Sequence, residues 1–247
     1  MAVIGADLGG TKLSAAIFYS DGRMAERESI ALEGRRDHEI GAFAVSRILV
    51  LLERSKEPVE AVGVAVPGIS DPQGKVWAPN LEGWKEYPLR DEILAALPSP
   101  GIRVIVENDR ACSILGETWL GASRGCRDAI FIAIGTGIGA GILTEGCVLR
   151  GAGGAAGSLG WLAGERPWRR EFTRSGSLEY YASGEGIARS ARRLLLKNTV
   201  YRGMLRERRM ERITARDVFE AWDRDDPIAA AALDHCIKLW GMMTADL

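Results

Sequence analysis

The sequence predicts an α/β protein built from two halves of related architecture, and three observations carry that prediction. A glycine-turn hairpin occurs twice, in AVIGADLGGTKLSAAIFYSDGRM near the start and in AIFIAIGTGIGAGILTEGCVLRG past the middle. Internal self-similarity of this kind points to a duplicated βββαβα plan. After the first hairpin, short apolar runs alternate with segments of helical period, which is the pattern of helices layered on a sheet. Between the copies, Gly121-Ala-Ser-Arg-Gly125 gathers small and polar residues, setting a boundary between a first half over 1–120 and a second over 121–247.

Each element has a local reason. The first strand runs to about Asp7, Gly9-Gly10 turn the chain, a second strand continues through Tyr19, and Asp21-Gly22 turn it again. That order makes a meander, not a βαβ unit. Residues 37–55 read as a helix, VEAVGVAVPG as a buried strand stopping at Pro67-Gly68, residues 88–97 as a short helix, IRVIVEN as a strand and residues 110–120 as a helix. In the second copy a strand ends at Gly135, the next runs to Thr144, and Glu145-Gly146 form the turn. Thr214-Ala-Arg-Asp217 has the form of a capping box, and Asp226-Pro227 pairs an N-cap with proline at the first helical position. The alanine-rich helix that follows is still helical in pattern at Leu247.

Composition excludes several functions. With 47% hydrophobic and 26% charged residues, the 247-residue chain can bury one large core or two smaller ones. A net charge of -1 supplies no global field toward nucleic acid or an anionic membrane, so small molecules are the expected partners. No apolar run approaches the roughly 20 residues of a membrane span, and Met1-Ala-Val-Ile-Gly lacks the basic and apolar preface of a signal peptide. A cytoplasmic location is expected. Cys112, Cys126, Cys147 and Cys236 are dispersed without a C-x-x-C pair, and read as buried thiols in a reducing compartment. The basic cluster between Arg189 and Arg212 is interleaved with acids, which favours a solvated helix face over a nucleic-acid stripe.

The glycine turns carry the chemistry. Gly9-Gly10-Thr11-Lys12 lets backbone N–H groups approach an anion, with a hydroxyl and a charge beside them. A plain hairpin turn would use the same residues. Gly135-Thr136-Gly137-Ile138-Gly139 is a second such turn, and two turns at equivalent points of a repeat would hold one polyphosphate between them. The dinucleotide fingerprint G-x-G-x-x-G/A also fits residues 135–140, but it requires a helix next, and GAGILTEGCVL continues as strand and turn. No Walker A motif occurs.

Taken in order, DLGGTK, PGISDPQGKVWAPNLEGW, VENDRACSILGE, IGTGIGAG and RGAGGAAG resemble the ROK family of sugar kinases and related repressors. The resemblance covers nearly the whole chain and implies a two-lobed fold of the actin-like ATPase (ribonuclease H-like) type. It implies ATP and Mg2+ as cofactors, a sugar substrate and a homodimer. By that resemblance Asp109 is the catalytic base, although a residue between strand and helix also suits an N-cap. Gly68, Asn80, Asn108 and Glu179 line the sugar pocket, and Asp7 acts on the magnesium-phosphate side. Asn80 after Pro79 equally suits a turn, and Glu179 a first-turn helix acid.

Two departures qualify the expected function. Where the family has G-A-A-G-E-x-G-H, this chain has Ser158 and Trp161 in place of the sugar-reading glutamate and zinc-linked histidine. The matching cysteine cluster is absent from RPWRREFTRSGSLE, with Ser177 at its last cysteine position, so no structural zinc is expected. Trp161 would either stack on a sugar face or fill the space of the zinc lobe. The sequence also stops at Leu247, where the family continues into an adenosine-binding turn, so the second lobe is expected to be incomplete. The leading expectation is an ATP-dependent hexose kinase, with a weak or inactive sugar-binding sensor as the alternative. No helix-turn-helix segment precedes the first strand, which disfavours the repressor branch.

Overall fold

The computed structural model describes residues 1–164 and 166–247. The chain forms two compact units, Met1–Ala129 with Leu143–Ala155, and Ile130–Ile142 with Ala156–Leu247.

In the first unit β1 (Ala2–Leu8), β2 (Lys12–Tyr19) and β3 (Met24–Ala31) form the meander, followed by α1 (His38–Arg54) and β4 (Val59–Val66). A small hairpin of β5 (Ile69–Ser70) and β6 (Val76–Trp77) precedes α2 (Leu89–Ala96), β7 (Arg103–Asn108) and α3 (Asp109–Leu120). The five-stranded sheet has the order β3-β2-β1-β4-β7. β1 pairs antiparallel with β2 but parallel with β4, and β4 parallel with β7. Parallel neighbours need crossovers, and those crossovers carry α1 and α2.

Period-two alternation decides which face is covered. Ala2, Ile4, Ala6 and Leu8 of β1 and Val62, Val64 and Val66 of β4 are buried, and they join one core with Ile40, Ala44, Ile48 and Leu51 of α1. Across the other face Ala16, Gly5 and Gly63 share one register row, beside the exposed Ile105. Because β1, β4 and β7 run parallel and in register, Asp7, the Pro67-Gly68 turn and Asn108-Asp109 all lie at the carboxyl edge of one sheet. That edge is where open α/β sheets place ligands.

The second copy of the hairpin is β8 (Ala129–Ile134) and β9 (Ile138–Thr144), hydrogen-bonded neighbours. The end of β9 pairs with β10 (Cys147–Val148). A strand, not a helix, follows Gly135–Gly137, which disposes of the dinucleotide fingerprint. The second unit continues with α4 (Ser177–Ala182), α5 (Gly184–Lys197), α6 (Met204–Glu207), α7 (Ala215–Trp222) and α8 (Pro227–Ala245). Its core gathers Ile138, Leu178, Ile187, Leu195, Val218, Leu233 and Leu239.

The helix signals act as the sequence suggests. Thr214 and Asp217 complete a reciprocal capping box, and Asp226 accepts hydrogen bonds from the N–H groups of Ile228 and Ala229. Three details differ. α8 ends at Ala245, with Asp246 as its C-cap, so the helix does not continue to Leu247. Asp109 is the first residue of α3, and the cap is Asn108. Cys126 and Cys147 are exposed, because one lies in a surface turn and the other at the start of a two-residue strand, so burial of all four thiols is incorrect. Among the described residues no helix is long and apolar enough to cross a membrane.

Candidate functional site

In the first unit, the strand-to-helix junction after β7 organises the site. The Asn108 side chain, only 7% exposed, accepts a 2.8 Å hydrogen bond from the Ala111 N–H and donates one of 2.9 Å to Glu107 Oε1. That double engagement fixes the backbone from which Asp109 projects. Arg110 donates to the Gly68 carbonyl at 3.3 Å, bringing the Pro67-Gly68 turn to the same junction. Gly68 has φ +100°, and an added Cβ would lie 2.2 Å from the Trp77 carbonyl oxygen, so only glycine suits it.

Asp109 is reached by solvent, yet neighbouring protein removes part of its hydration. Desolvation raises its pKa; Arg110 opposes the shift and the Asp7 carboxylate adds to it. The Asp7 carboxylate is therefore near enough to act on Asp109. Asp7 itself is exposed at the end of β1 and, with Lys12, Ser14 and Cys112, lines a cavity of about 800 Å³. Burial, followed by Glu107, Asp109 and Asp7, pushes the Cys112 thiol up to about 12, so it is a neutral wall and not a nucleophile.

The first glycine turn is tight: the Gly9 N–H donates to the Lys12 carbonyl at 2.9 Å. Gly10 has nothing within 4 Å of the position a Cβ would take, and Thr11 and Lys12 are exposed. Asn80 is the third residue of a turn closed from the Leu81 N–H to the Ala78 carbonyl, and it too is exposed. Trp84 stacks on Tyr87 at 4.2 Å and bonds the Asp37 carbonyl, which anchors that segment.

Sequence reasoning missed one pair. Arg150 makes a 2.7 Å ion pair with Glu107, whose other oxygen accepts from the Asn108 backbone and side chain. The pair thereby braces the Asp109 junction, and both residues line two cavities of the first unit. Glu107 inside VEND was visible, but nothing in sequence spacing joins it to the arginine of RGAGG.

In the second unit the glycine turn, α4 and the 156–162 loop converge on Glu179. Its Oε2 accepts a 2.8 Å hydrogen bond from the Ile138 N–H. A Cβ on Gly137 or Gly160 would lie 2.7 Å or 2.8 Å from the same oxygen, so both glycines are needed for that approach. Desolvation raises the Glu179 pKa, and the Ile138 N–H counteracts it. Gly135 and Thr136 are exposed, whereas Gly139 lies buried inside β9 and is not part of the turn surface. Gly157, with φ +79°, sends its carbonyl to the Ala140 N–H at 2.7 Å, and an added Cβ would meet the Ala140 oxygen at 1.8 Å.

Ser158 and Trp161 flank a short 3-10 turn at residues 159–161. Trp161 is 51% exposed. Phe172 is fully buried, with edge contacts to Trp168, Tyr180 and Tyr181. Ser177, also fully buried, accepts from the Gly164 N–H at 2.8 Å and donates to the Leu162 carbonyl at 2.9 Å. A hydroxyl and an aromatic cluster thus hold the segment that a cysteine cluster would otherwise clasp. Residues 166–179 contain neither cysteine nor histidine, so the ligand set for zinc does not fit here. Among the described residues no group of three or more His, Cys, Asp and Glu could hold a metal ion.

A ROK family model matches residues 3–247. The chain belongs to the ROK family. This ROK chain is 30% identical to a glucokinase of Halalkalibacterium halodurans, over 99% of its own length and 75% of that relative. It is 26% identical to a β-glucoside kinase of Listeria monocytogenes, over 93% of the chain and 72% of the relative. The crystal structure of a ROK family glucokinase from Streptomyces griseus with glucose and AMPPNP matches 100% of the chain and 78% of that protein, at 28% identity and a TM-score of 0.79. The α/β fold of the ROK chain is of the actin-like ATPase type.

Proposed function

We propose that the ROK chain is a carbohydrate kinase that transfers the γ-phosphoryl group of ATP to a hydroxyl of a hexose or hexose derivative. Its class rests on the family match and on relatives named as glucokinase and β-glucoside kinase. The observation that carries the chemistry is the Asp109 junction, where Asn108, Arg110 and the Glu107–Arg150 pair orient one partly desolvated carboxylate.

In this reading the sugar oxygen forms a bond to the γ-phosphorus as the bond to ADP breaks, and the hydroxyl proton passes to an Asp109 carboxylate oxygen. Desolvation raises the Asp109 pKa, which strengthens its carboxylate as a proton acceptor. Gly68, Asn80, Asn108 and Glu179 serve the sugar pocket. Ser158 and Trp161 stand where the family reads the first two sugar carbons, offering a hydroxyl and an indole face instead of a carboxylate and an imidazole. The turns at Gly9–Lys12 and Gly135–Gly137 serve the nucleotide phosphates, since the backbone at Gly10 and Gly135 is open wherever a side chain would otherwise stand.

The residues suit magnesium. Mg2+ is commonly held by one or two carboxylates together with water and substrate phosphates, and Asp7 and Asp109 are oxygen donors at one sheet edge. Bound with the nucleotide, the ion would neutralise phosphate charge, and Asp7 would help to hold it. Cytoplasmic action as a homodimer completes the proposal.

A coupled ADP-release screen of this chain over hexoses and N-acyl sugars tests it. Sugar-dependent ADP release with one substrate class is the expected result. Sugar binding without nucleotide binding or turnover would replace the kinase reading with a sensor.

A further inference from the structure

A cavity of about 650 Å³ lies in the second unit, and its wall includes Arg169, Glu171, Tyr180, Arg189, Arg193 and Lys197. None of these is a residue assigned above to phosphoryl transfer. Arg189, Arg193 and Lys197 recur every four residues along α5, so they share a face and span roughly 12 Å at the helical rise. Among the described residues the lining sets four cations against one acid, Glu171, in a chain whose net charge is -1.

Three of the four have no acidic partner within ion-pair distance among the described residues. These are Arg169, Arg193 and Lys197; Arg189 reaches Glu185 at 3.9 Å, an acid that Arg192 holds more closely, at 3.0 Å. Arg189 is positioned in advance: its guanidinium lies 4.1 Å from the Tyr180 ring centroid and donates to the Tyr180 carbonyl at 2.8 Å. A solvated helix face would need neither a concave wall nor an arginine fixed on a ring. The volume falls within the range of small-ligand sites, whereas a nucleic-acid surface would present an open stripe.

We propose that this cavity binds a small polyanion carrying two or more phosphate groups. The row on α5 matches the length of such a ligand, and arginine and lysine are the side chains suited to phosphate oxygens.

The test is calorimetric titration of the full chain with inorganic tripolyphosphate, with orthophosphate in parallel, at low and moderate ionic strength. Arg193→Glu/Lys197→Glu is titrated alongside, its fold checked by far-UV circular dichroism; Arg193→Gln/Lys197→Gln is the substitute if the reversal does not fold. Tripolyphosphate is expected to bind more tightly than orthophosphate, to weaken with salt, and to lose about tenfold or more in affinity on charge reversal. Absence of binding, equal affinity for orthophosphate, or an affinity unchanged by the substitutions overturns the proposal. The last result would place the anion on the glycine turns instead.

Discussion

Glu179 on α4 accepts a 2.8 Å hydrogen bond from the backbone N–H of Ile138, so one carboxylate sets the exit of the second glycine turn into β9. The glycines at 137 and 160 give that carboxylate its room. Glu179→Ala leaves a partly buried N–H unpaired and is expected to cost about 1–3 kcal/mol of stability. Glu179→Gln retains an acceptor oxygen and should lose less. Urea midpoints and AMPPNP affinity for the two variants check this; equal losses would show that the hydrogen bond is not what holds the turn.

Asp109 gives a pH signature. Its native pKa lies above the ordinary 3.8, so the native state keeps this proton to higher pH than the unfolded chain does. The associated stability is present below 3.8 and is lost as pH rises through the raised native pKa. Asp109→Asn removes that dependence. Relative to the native chain, the variant should therefore gain stability between acid and neutral pH, measured as the difference in urea midpoints. A constant difference across that range would contradict the desolvation argument.

The segment at 162–181 should depend on hydrogen bonding and packing. Ser177→Ala removes a donor and an acceptor used by Gly164 and Leu162, an expected loss of about 1–3 kcal/mol. Phe172→Ala empties the centre of an aromatic cluster and should cost about 3–5 kcal/mol. Thermal melts with and without zinc separate this from metal support: zinc should leave both melts unchanged.

Arg150 is expected to act through Asn108. Arg150→Ala leaves the Glu107 carboxylate without its ion pair, which should disturb the Asn108 cap and lower kcat more than it raises KM for the sugar. Arg150→Lys should rescue part of the loss. A change confined to KM would point to a direct sugar contact instead.

Much of the fold was legible because it is encoded locally. Glycine turns, period-two runs and the caps at Thr214 and Asp226 are each specified within a few residues. The return of Leu143–Ala155 to the first unit was not, since it depends on which surfaces meet after the chain has turned. The same limit applied to the site. Asp109 and Glu179 came from motif position, whereas Arg150 with Glu107, 43 residues apart, and the cap at Asn108 required coordinates. Trp161 shows the limit of analogy: its position was readable, but its exposure was not.

The most direct measurement is sugar-dependent ADP release by the native chain and Asp109→Asn, compared under the same Mg-ATP and sugar conditions. The native chain should turn over, and the variant should lose about 10²–10⁴-fold in kcat while remaining folded. Equal turnover by the two proteins would contradict the assignment of Asp109 as the base that accepts the sugar proton.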